Sequence, residues 1–361
     1  MPTLLHLRCR GACRRALQPR RREHIHDSSS RPPMAERSIV GSSHGWLVTA
    51  DAQSELHLLN PATGEQLALP PVVTVEQVSP VFFFFDKVSP VCDDSGSLQR
   101  YDLSFYDAAL PRKEHRPPQP YAVDRLRRAL YLKVVLSCDP SRGDCIVLMI
   151  HNPYRQLSFA RFGSKKWHWI TTSFRESMYS DCIYHDGAFY VMNLQGGVHC
   201  YTIEDSCVQR NIMFEDTLPY TSAYNIYIAR SSSGDVLQIL RTTSCPIEDS
   251  PETHTTGIGM FKLDSEKNDD VDIDSLTDDA LFIGHKYSWC LSTKDYPMLL
   301  PNHVYFTDDD EYSLMDDQDH RRDVRMYNLA DNSAMEIVSP RPWLNWPIPI
   351  WITPSFTKLK Q

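Results

Sequence analysis

The strongest constraint on the fold of this chain is a rhythm of short apolar runs broken every few residues by turn chemistry. Trp46-Leu-Val-Thr49, Glu55-Leu-His-Leu-Leu59 and Gln66-Leu-Ala-Leu69 are three such runs, and Asn60-Pro-Ala-Thr-Gly64 between the last two is turn material. Leu56 and Leu58 fall on one face of the second run, and the third run alternates in the same way. Connections this short join antiparallel neighbours, because a parallel pair needs a crossover of about a dozen residues or more. The stretch reads as a three-stranded meander.

The same grammar returns with other residues. Asp144-Cys-Ile-Val-Leu-Met-Ile150, Leu157-Ser-Phe-Ala-Arg161 and Trp167-His-Trp-Ile170 are separated by turns at Asn152-Pro-Tyr-Arg155 and Gly163-Ser-Lys-Lys166. Asp181-Cys-Ile-Tyr184, Ala188-Phe-Tyr-Val-Met192 and Val198-His-Cys-Tyr-Thr202 follow around His185-Asp-Gly187 and Leu194-Gln-Gly-Gly197. The series continues through Ile226 to Ala229, Asp235 to Leu240, Met260 to Leu263, Ala280 to Ile283, His303 to Phe306, Asp323 to Tyr327 and Ala334 to Val338. Meanders recurring at about 40 to 50 residues are the signature of propeller blades. The expected fold is all-β, a β-propeller of about six to seven blades, with the completeness of the N-terminal blade left open. Recurrent rings at Trp46, Trp167, Trp169, Tyr184, Tyr190, Tyr227, Trp289, Tyr305 and Tyr327 suit the space between twisted sheets. At about 25 cal/mol per Å² of buried apolar area, packing alone explains them. Val123 to Leu132 is the best amphipathic helix, read as an insertion between blades, and Asp264 to Asp279 reads as a solvated loop.

Of the 361 residues, 42% are hydrophobic and 23% charged, enough for a large core. The net charge of −9 is uneven: residues 1–40 hold nine Arg and no Lys against Glu23, Asp27 and Glu36, a net +6, so the remainder carries −15. A body of that sign repels phosphate, which disfavours nucleic acid and anionic membrane as partners of the folded part, and neither is expected. The longest apolar run, Val81-Phe-Phe-Phe-Phe85, is far too short to span a bilayer. Ten scattered Cys and no Asn-x-Ser/Thr sequon fit an intracellular protein of the cytoplasm or nucleus with reduced, buried thiols. Residues 1–37 read as a disordered Arg-rich segment and residues 38–359 as the propeller domain. If residues 1–33 act as a transit peptide the compartment is the mitochondrion; translation beginning at Met34 is the other alternative.

No constellation of catalytic chemistry is evident. Ser43-His44 is adjacent in sequence, but a triad is a spatial arrangement, no Gly-x-Ser-x-Gly elbow occurs, and Gly41-Ser-Ser-His-Gly45 reads as turn chemistry before a strand. Cys9 and Cys13 with His24 and His26 have zinc-ligand types, yet the second pair is too close for a finger. Cys138 and Cys145, like Cys200 and Cys207, suit the two sides of a hairpin. Asp270-Val-Asp-Ile-Asp274 begins like a calcium loop but has Ser275 at position six and Leu281 at position twelve. Thr307 to Glu311 and Asp316 to Asp319 read as solvated acidic turns, with docking of a basic partner as the alternative. Gly257-Ile-Gly259 lacks the rest of a phosphate loop. Trp343 to Trp351, with Pro347 and Pro349, reads as a ring-closing strand. The expectation is that the chain is no enzyme, with no catalytic, cofactor-binding or metal residues and no cofactor.

Several separated blocks resemble a known family. Gly41-Ser-Ser-His-Gly-Trp46, Leu56-His-Leu-Leu-Asn-Pro-Ala-Thr-Gly64, Leu67-Ala-Leu-Pro70, Ser137-Cys-Asp-Pro140 and His151-Asn-Pro153 occur in order, followed by Asp181-Cys-Ile183, Asn302-His-Val-Tyr-Phe-Thr-Asp308 and Trp346-Pro-Ile-Pro-Ile-Trp351. Together they are similar to the plant F-box-associated family called DUF295, the KIB-type β-propellers, over residues 38 to 359. The resemblance implies a propeller that presents a target protein, joined to an F-box that docks on the adaptor subunit of a ubiquitin ligase. Residues 1–40 hold Arg, Ser and Pro in place of the Leu-rich helices of an F-box, which puts docking to that subunit in doubt here. The functional expectation is a protein-interaction module with an unidentified protein partner. The alternatives are a propeller enzyme such as a glycosidase, built on clustered central carboxylates, and a truncated relative without adaptor activity.

Overall fold

The computed structural model describes residues 3–6, 14–17, 22–25, 34–83, 97–106, 116–172, 178–205, 207–218, 224–244, 254–264, 269–284, 286–308, 322–338 and 349–353. Three N-terminal strands, β1 (Thr3–His6), β2 (Arg14–Leu17) and β3 (Arg22–Ile25), precede the first meander. That meander is β4 (Ser38–Ser43), β5 (Trp46–Ala50), β6 (Leu56–Leu59) and β7 (Gln66–Ala68), all antiparallel. Next come β8 (Val78–Phe83), β9 (Ser97–Leu103) and β10 (Gln119–Ala122), a three-stranded sheet. A five-residue helix, α1 (Leu126–Leu130), leads into the sheet β11 (Tyr131–Leu136), β12 (Ile146–His151), β13 (Gln156–Arg161) and β14 (His168–Ile170).

Two further four-stranded meanders follow. One is β15 (Tyr179–His185), β16 (Ala188–Asn193), β17 (Val198–Glu204) and β18 (Cys207–Phe214). The other is β19 (Tyr224–Arg230), β20 (Val236–Thr243), β21 (Thr255–Asp264) and β22 (Asp269–Asp272). A five-stranded sheet then holds β23 (Asp279–Gly284), β24 (Tyr287–Ser292), β25 (His303–Phe306), β26 (Arg325–Asn328) and β27 (Ser333–Glu336), in the order β24-β23-β25-β26-β27. The last strand, β28 (Ile350–Ile352), joins β1, β2 and β3 in a four-stranded sheet.

Six of these seven sheets form a ring. The innermost strands touch in the order β28, β4, β11, β15, β19, β24, and the sheet of β24 returns through β23 to β28. The molecule is a β-propeller. Sheet β8-β9-β10 stays outside the ring, because β4 and β11 meet directly: a β-carbon on Gly41 would stand 2.3 Å from the carbonyl oxygen of Val134. Val78, Tyr101 and Leu103 of the outer sheet share one core with Val48, Leu58, Val134 and Val147 of the two blades it covers.

Each blade lies between two neighbours, so its middle strands are buried on both faces and read as continuous apolar runs. Val147-Leu-Met-Ile150 in β12 and Ala280 to Ile283 in β23 are buried at every position. The indole N–H groups inside this packing find acceptors: Trp46 donates to Asp139 at 3.1 Å, Trp167 to the Pro70 carbonyl at 3.0 Å and Trp169 to Gln156 at 3.1 Å. Trp351 on β28 donates to the Ile283 carbonyl at 3.0 Å and meets Phe282 edge-on at 5.1 Å, while its own carbonyl accepts from Ser42 at 2.7 Å. Ile350 to Ile352 therefore close the ring, as expected for the tail; Trp343 and Trp346 lie outside the described residues.

Two local expectations are corrected. The helix expected over Val123 to Leu132 stops at Leu130, since Tyr131 and Leu132 begin β11, whose apolar residues pack into the ring. The loop expected over Asp264 to Asp279 contains β22, an outer strand paired with β21 through Asp264 opposite Asp269. Ahead of the first blade, β1, β2 and β3 lie within residues 1–37. The edge of β28 pairs with β1, Leu4 opposite Trp351 and Leu5 opposite Ile350. β23 and β25 run parallel, which the crossover through β24 makes long enough.

Candidate functional site

The inner strands of a propeller converge, and here they enclose a cavity of about 230 Å³. Its walls come from β4, β11, β15, β24 and Thr353 just after β28, so five of the six blades contribute. Beneath it, Lys133 of β11 is ion-paired with Asp181 of β15; both are buried. Oδ1 of Asp181 accepts from Lys133 and from its neighbour's amide, Cys182 N–H, at 2.8 Å. Oδ2 accepts from Ile228 N–H of β19 at 2.9 Å and from the Ser288 hydroxyl of β24 at 3.0 Å. A carboxylate offers about four acceptor positions, and all four are used. One side chain thus ties four blades together at the centre of the ring.

Other wall groups are held just as firmly. The Ser42 hydroxyl donates to Trp351, and the Ser43 hydroxyl donates to the Leu136 carbonyl at 3.4 Å. His44 and Gly45 form the tight β4–β5 turn with positive φ of 50° and 83°. Desolvation at the rim holds the His44 imidazole below its usual range, against the opposing pull of the Leu136 carbonyl and Asp139. Burial pushes the Cys182 thiol and the Tyr287 phenol up to about 12 each, so neither ionises near neutrality. The Trp289 indole stands at the wall and is 44% exposed. Among the described residues, no Asp or Glu lines the cavity.

The sequence motifs fall into place around this centre. Ser43 and His44 do reach the cavity, but as a hairpin turn whose serine is engaged with Leu136, so the pair is no nucleophile and base. Cys138 and Cys145 face one another past the β11–β12 pairing, with the Cys145 thiol donating to the Cys138 carbonyl at 3.2 Å, and both are free thiols. Gly257 and Gly259 lie in extended β21, and Asp270 and Asp272 in β22. Thr307 and Asp308 are buried, contrary to the solvated turn expected, because the Thr307 carbonyl accepts from buried Arg241 at 2.8 Å. Cys9, Cys13, His26 and residues 309–311 and 316–319 lie outside the described residues.

Two polar networks escaped the reading of the sequence. One is Lys133 with Asp181. The other joins β20 to the five-stranded sheet: Arg241 donates to Thr255 at 2.8 Å, and Asp323 accepts from the Thr255 amide at 2.7 Å and from Arg325 at 2.5 Å. Burial alone would raise the Asp323 carboxyl, but these donors and the Arg241 charge hold it below the usual carboxylate range. The available signal was a single charge inside an apolar strand, Lys133 within Tyr131-Leu-Lys-Val-Val-Leu136 and Arg241 after Leu237-Gln-Ile-Leu240.

Comparison with known sequences bears on the same scaffold. The family profile of the KIB1-4 β-propeller matches residues 17–328. The chain belongs to the KIB1-4 β-propeller family. Among curated relatives of this family member, a putative F-box protein of Arabidopsis thaliana is 22% identical over 88% of this chain and 74% of its own length. F-box only protein 7 of the same plant is 24% identical over 68% of this chain and 58% of its own length. The chain therefore spans between about half and three-quarters of the curated relatives it matches. Among solved structures, AztD from Citrobacter koseri aligns over 99% of both chains at 8% identity with a TM-score of 0.35.

The motif residues of this KIB1-4 propeller are chiefly scaffold. Gly41 permits the close β4–β11 contact. Asn60 caps its turn by accepting from Ala62 and Thr63 amides at 2.9 and 3.2 Å. Asn302 accepts from the Leu276 amide at 2.8 Å. Ser42 to Gly45, Cys182 and Ile183 line the central cavity, and Asp181 lies beneath it.

Proposed function

We propose that this propeller is a target-recognition module that binds a partner protein through the face on which the central cavity opens, with Trp289 as the anchor. The observation that carries this reading is the state of that ring. Trp46, Trp167, Trp169 and Trp351 are largely covered and donate their N–H groups inside the protein, whereas the Trp289 N–H has no protein acceptor among the described residues and the ring is 44% exposed. Exposed tryptophans beside a concave centre are the residues most often found to dominate protein interfaces. Met298 and Leu300, in the connection that leaves the same strand, are 51% and 46% exposed and add apolar surface.

Among the described residues no Asp or Glu stands in the cavity wall, which supports a binding role over glycoside hydrolysis, a reaction that needs two carboxylates flanking the bond. Asp181 is a poor acid or base, since four donors saturate it. By analogy with relatives named as F-box proteins, the bound partner is the target of a ubiquitin ligase. Affinity capture with wild type and Trp289→Ala side by side tests the reading. A reproducible partner set that is lost in the variant, with an unchanged melting temperature, is expected; partners retained at wild-type level, or none above background, would overturn it.

A further inference from the structure

We propose that Cys138 and Cys145 form a reversible thiol–disulfide couple that exchanges with small disulfides of the glutathione class. The register of the β11–β12 hairpin places them. Leu136 stands opposite Val147, and the Ser137 amide donates to the Ile146 carbonyl at 2.9 Å, so the next pair along the ladder is Cys138 opposite Cys145. Ser137 and Ile146 are a hydrogen-bonded pair, which makes the cysteines a non-hydrogen-bonded one. In such pairs the α-carbons approach to about 4.5 Å and both side chains leave the same face of the sheet, and a disulfide spans α-carbons about 4.4–6.8 Å apart. The sulfurs already lie in the gap. The Cys138 thiol donates to the Asp144 carbonyl at 3.3 Å and the Cys145 thiol to the Cys138 carbonyl at 3.2 Å, so each sulfur rests on backbone beside the other cysteine.

The loop between them is held by its own contacts. Pro140–Arg142 form a single 3-10 turn, and the Asp139 carboxylate accepts from the Ser141 amide at 3.0 Å and from the Trp46 indole at 3.1 Å. Closing the bond therefore asks for little rearrangement. Cys200 and Cys207 have the same separation in sequence but a different register: Cys200 is opposite Asn211 and Cys207 opposite Glu204, so no bond is expected between them.

Exposure sets the order of events. Cys138 is partly exposed, whereas Cys145 is buried and burial pushes its thiol up to about 12. The Cys138 thiolate attacks one sulfur of oxidised glutathione, forming a mixed disulfide and expelling one glutathione thiolate. Cys145 then attacks the Cys138 sulfur, gives its proton to solvent and displaces the second glutathione thiolate. The cysteines lose two electrons and two protons, and the two departing glutathione thiols gain them. Tyr184 of the cavity wall is close enough to feel the charge of either cysteine, so the couple sits beside that wall.

Tryptic mapping of the intact chain without reduction tests the couple, because cleavage after Lys133, Arg142 and Arg155 puts the cysteines on separate peptides, 134–142 and 143–155. Oxidised glutathione should join these peptides in one species that dithiothreitol separates, with no internal bond between Cys200 and Cys207 in peptide 176–210. In glutathione buffers the bond should form at least tenfold more favourably in the folded chain than in urea. Oxidation then raises the unfolding free energy by at least about 1.4 kcal/mol, the same factor expressed as stability. Cys138→Ser should abolish both the joined species and the gain. A mixed disulfide that persists at Cys138, two unmodified cysteines, equal formation in folded and unfolded chains, or lower stability on oxidation would overturn the proposal.

Discussion

Replacing either member of the central ion pair should destabilise the ring, and Asp181 should matter more than Lys133. Breaking a buried pair by removing one partner leaves an uncompensated charge and costs about 3–5 kcal/mol. Asp181→Ala adds a second loss, because the Cys182 and Ile228 amides, at 2.8 and 2.9 Å, lose their acceptor together with Ser288. An orphaned buried amide costs about 1–3 kcal/mol. Even at the low end of each figure, Asp181→Ala comes to about 5 kcal/mol, which approaches the whole stability of many domains. Lys133→Met keeps most of the apolar stem and leaves the carboxylate with three donors, so about 3 kcal/mol is expected. The difference of about 2 kcal/mol corresponds to several degrees in melting temperature for a domain of this size. Urea unfolding followed by circular dichroism measures both variants against wild type. Equal losses, or a larger loss for Lys133→Met, would show that the two amides find another acceptor and that Asp181 does not tie the blades.

Gly41→Ala should destabilise by about 1–3 kcal/mol, because the new β-carbon meets the Val134 carbonyl at 2.3 Å with backbone on both sides. Gly259→Ala, whose β-carbon would stand 3.8 Å from Phe261, should stay within about 0.5 kcal/mol, and equal effects in thermal melts would refute the close contact. Stability should also fall on acidification between pH 6.5 and 4. His151 is buried with its Nδ1–H donating to the Asn152 carbonyl at 2.9 Å and Nε2 accepting from Ser158 at 2.9 Å, and burial pushes its imidazole down from 6.5 to about 4. The unfolded chain takes up a proton first as pH falls, so about 3 kcal/mol is lost across that window, fully present above 6.5 and gone below 4. His151→Gln should flatten this slope in urea titrations at several pH values; an unchanged slope would assign it elsewhere. Removing residues 1–25 should lower the melting temperature by several degrees, since β28 loses its partner β1. An unchanged value would show that contacts of Trp351 with β23 and β4 close the ring unaided.

The blades were legible because each is a local object. Three of the runs read from the pattern, 46–49, 55–59 and 66–69, lie within a residue or so of β5, β6 and β7. The turn at Asn60 to Gly64 is built as its residues suggest, with Asn60 accepting from two amides of its own loop. The helix over Val123 to Leu132 was misjudged because Tyr131 to Leu136 is buried on both faces, and a strand without alternation is indistinguishable from a buried helical segment by period alone.

Sequence alone determined that this chain folds as a succession of small antiparallel sheets, since period-two alternation and turn residues act over ten residues or fewer. Only the closed ring decided that six sheets, not seven, surround the centre, and that Lys133, Asp181 and Ser288 meet there across separations of 48 and 107 residues. Strands buried on both faces carry no mark of which side looks inward. Convergence of the innermost strands supplies that mark, and with it the cavity, its lysines and its exposed tryptophan.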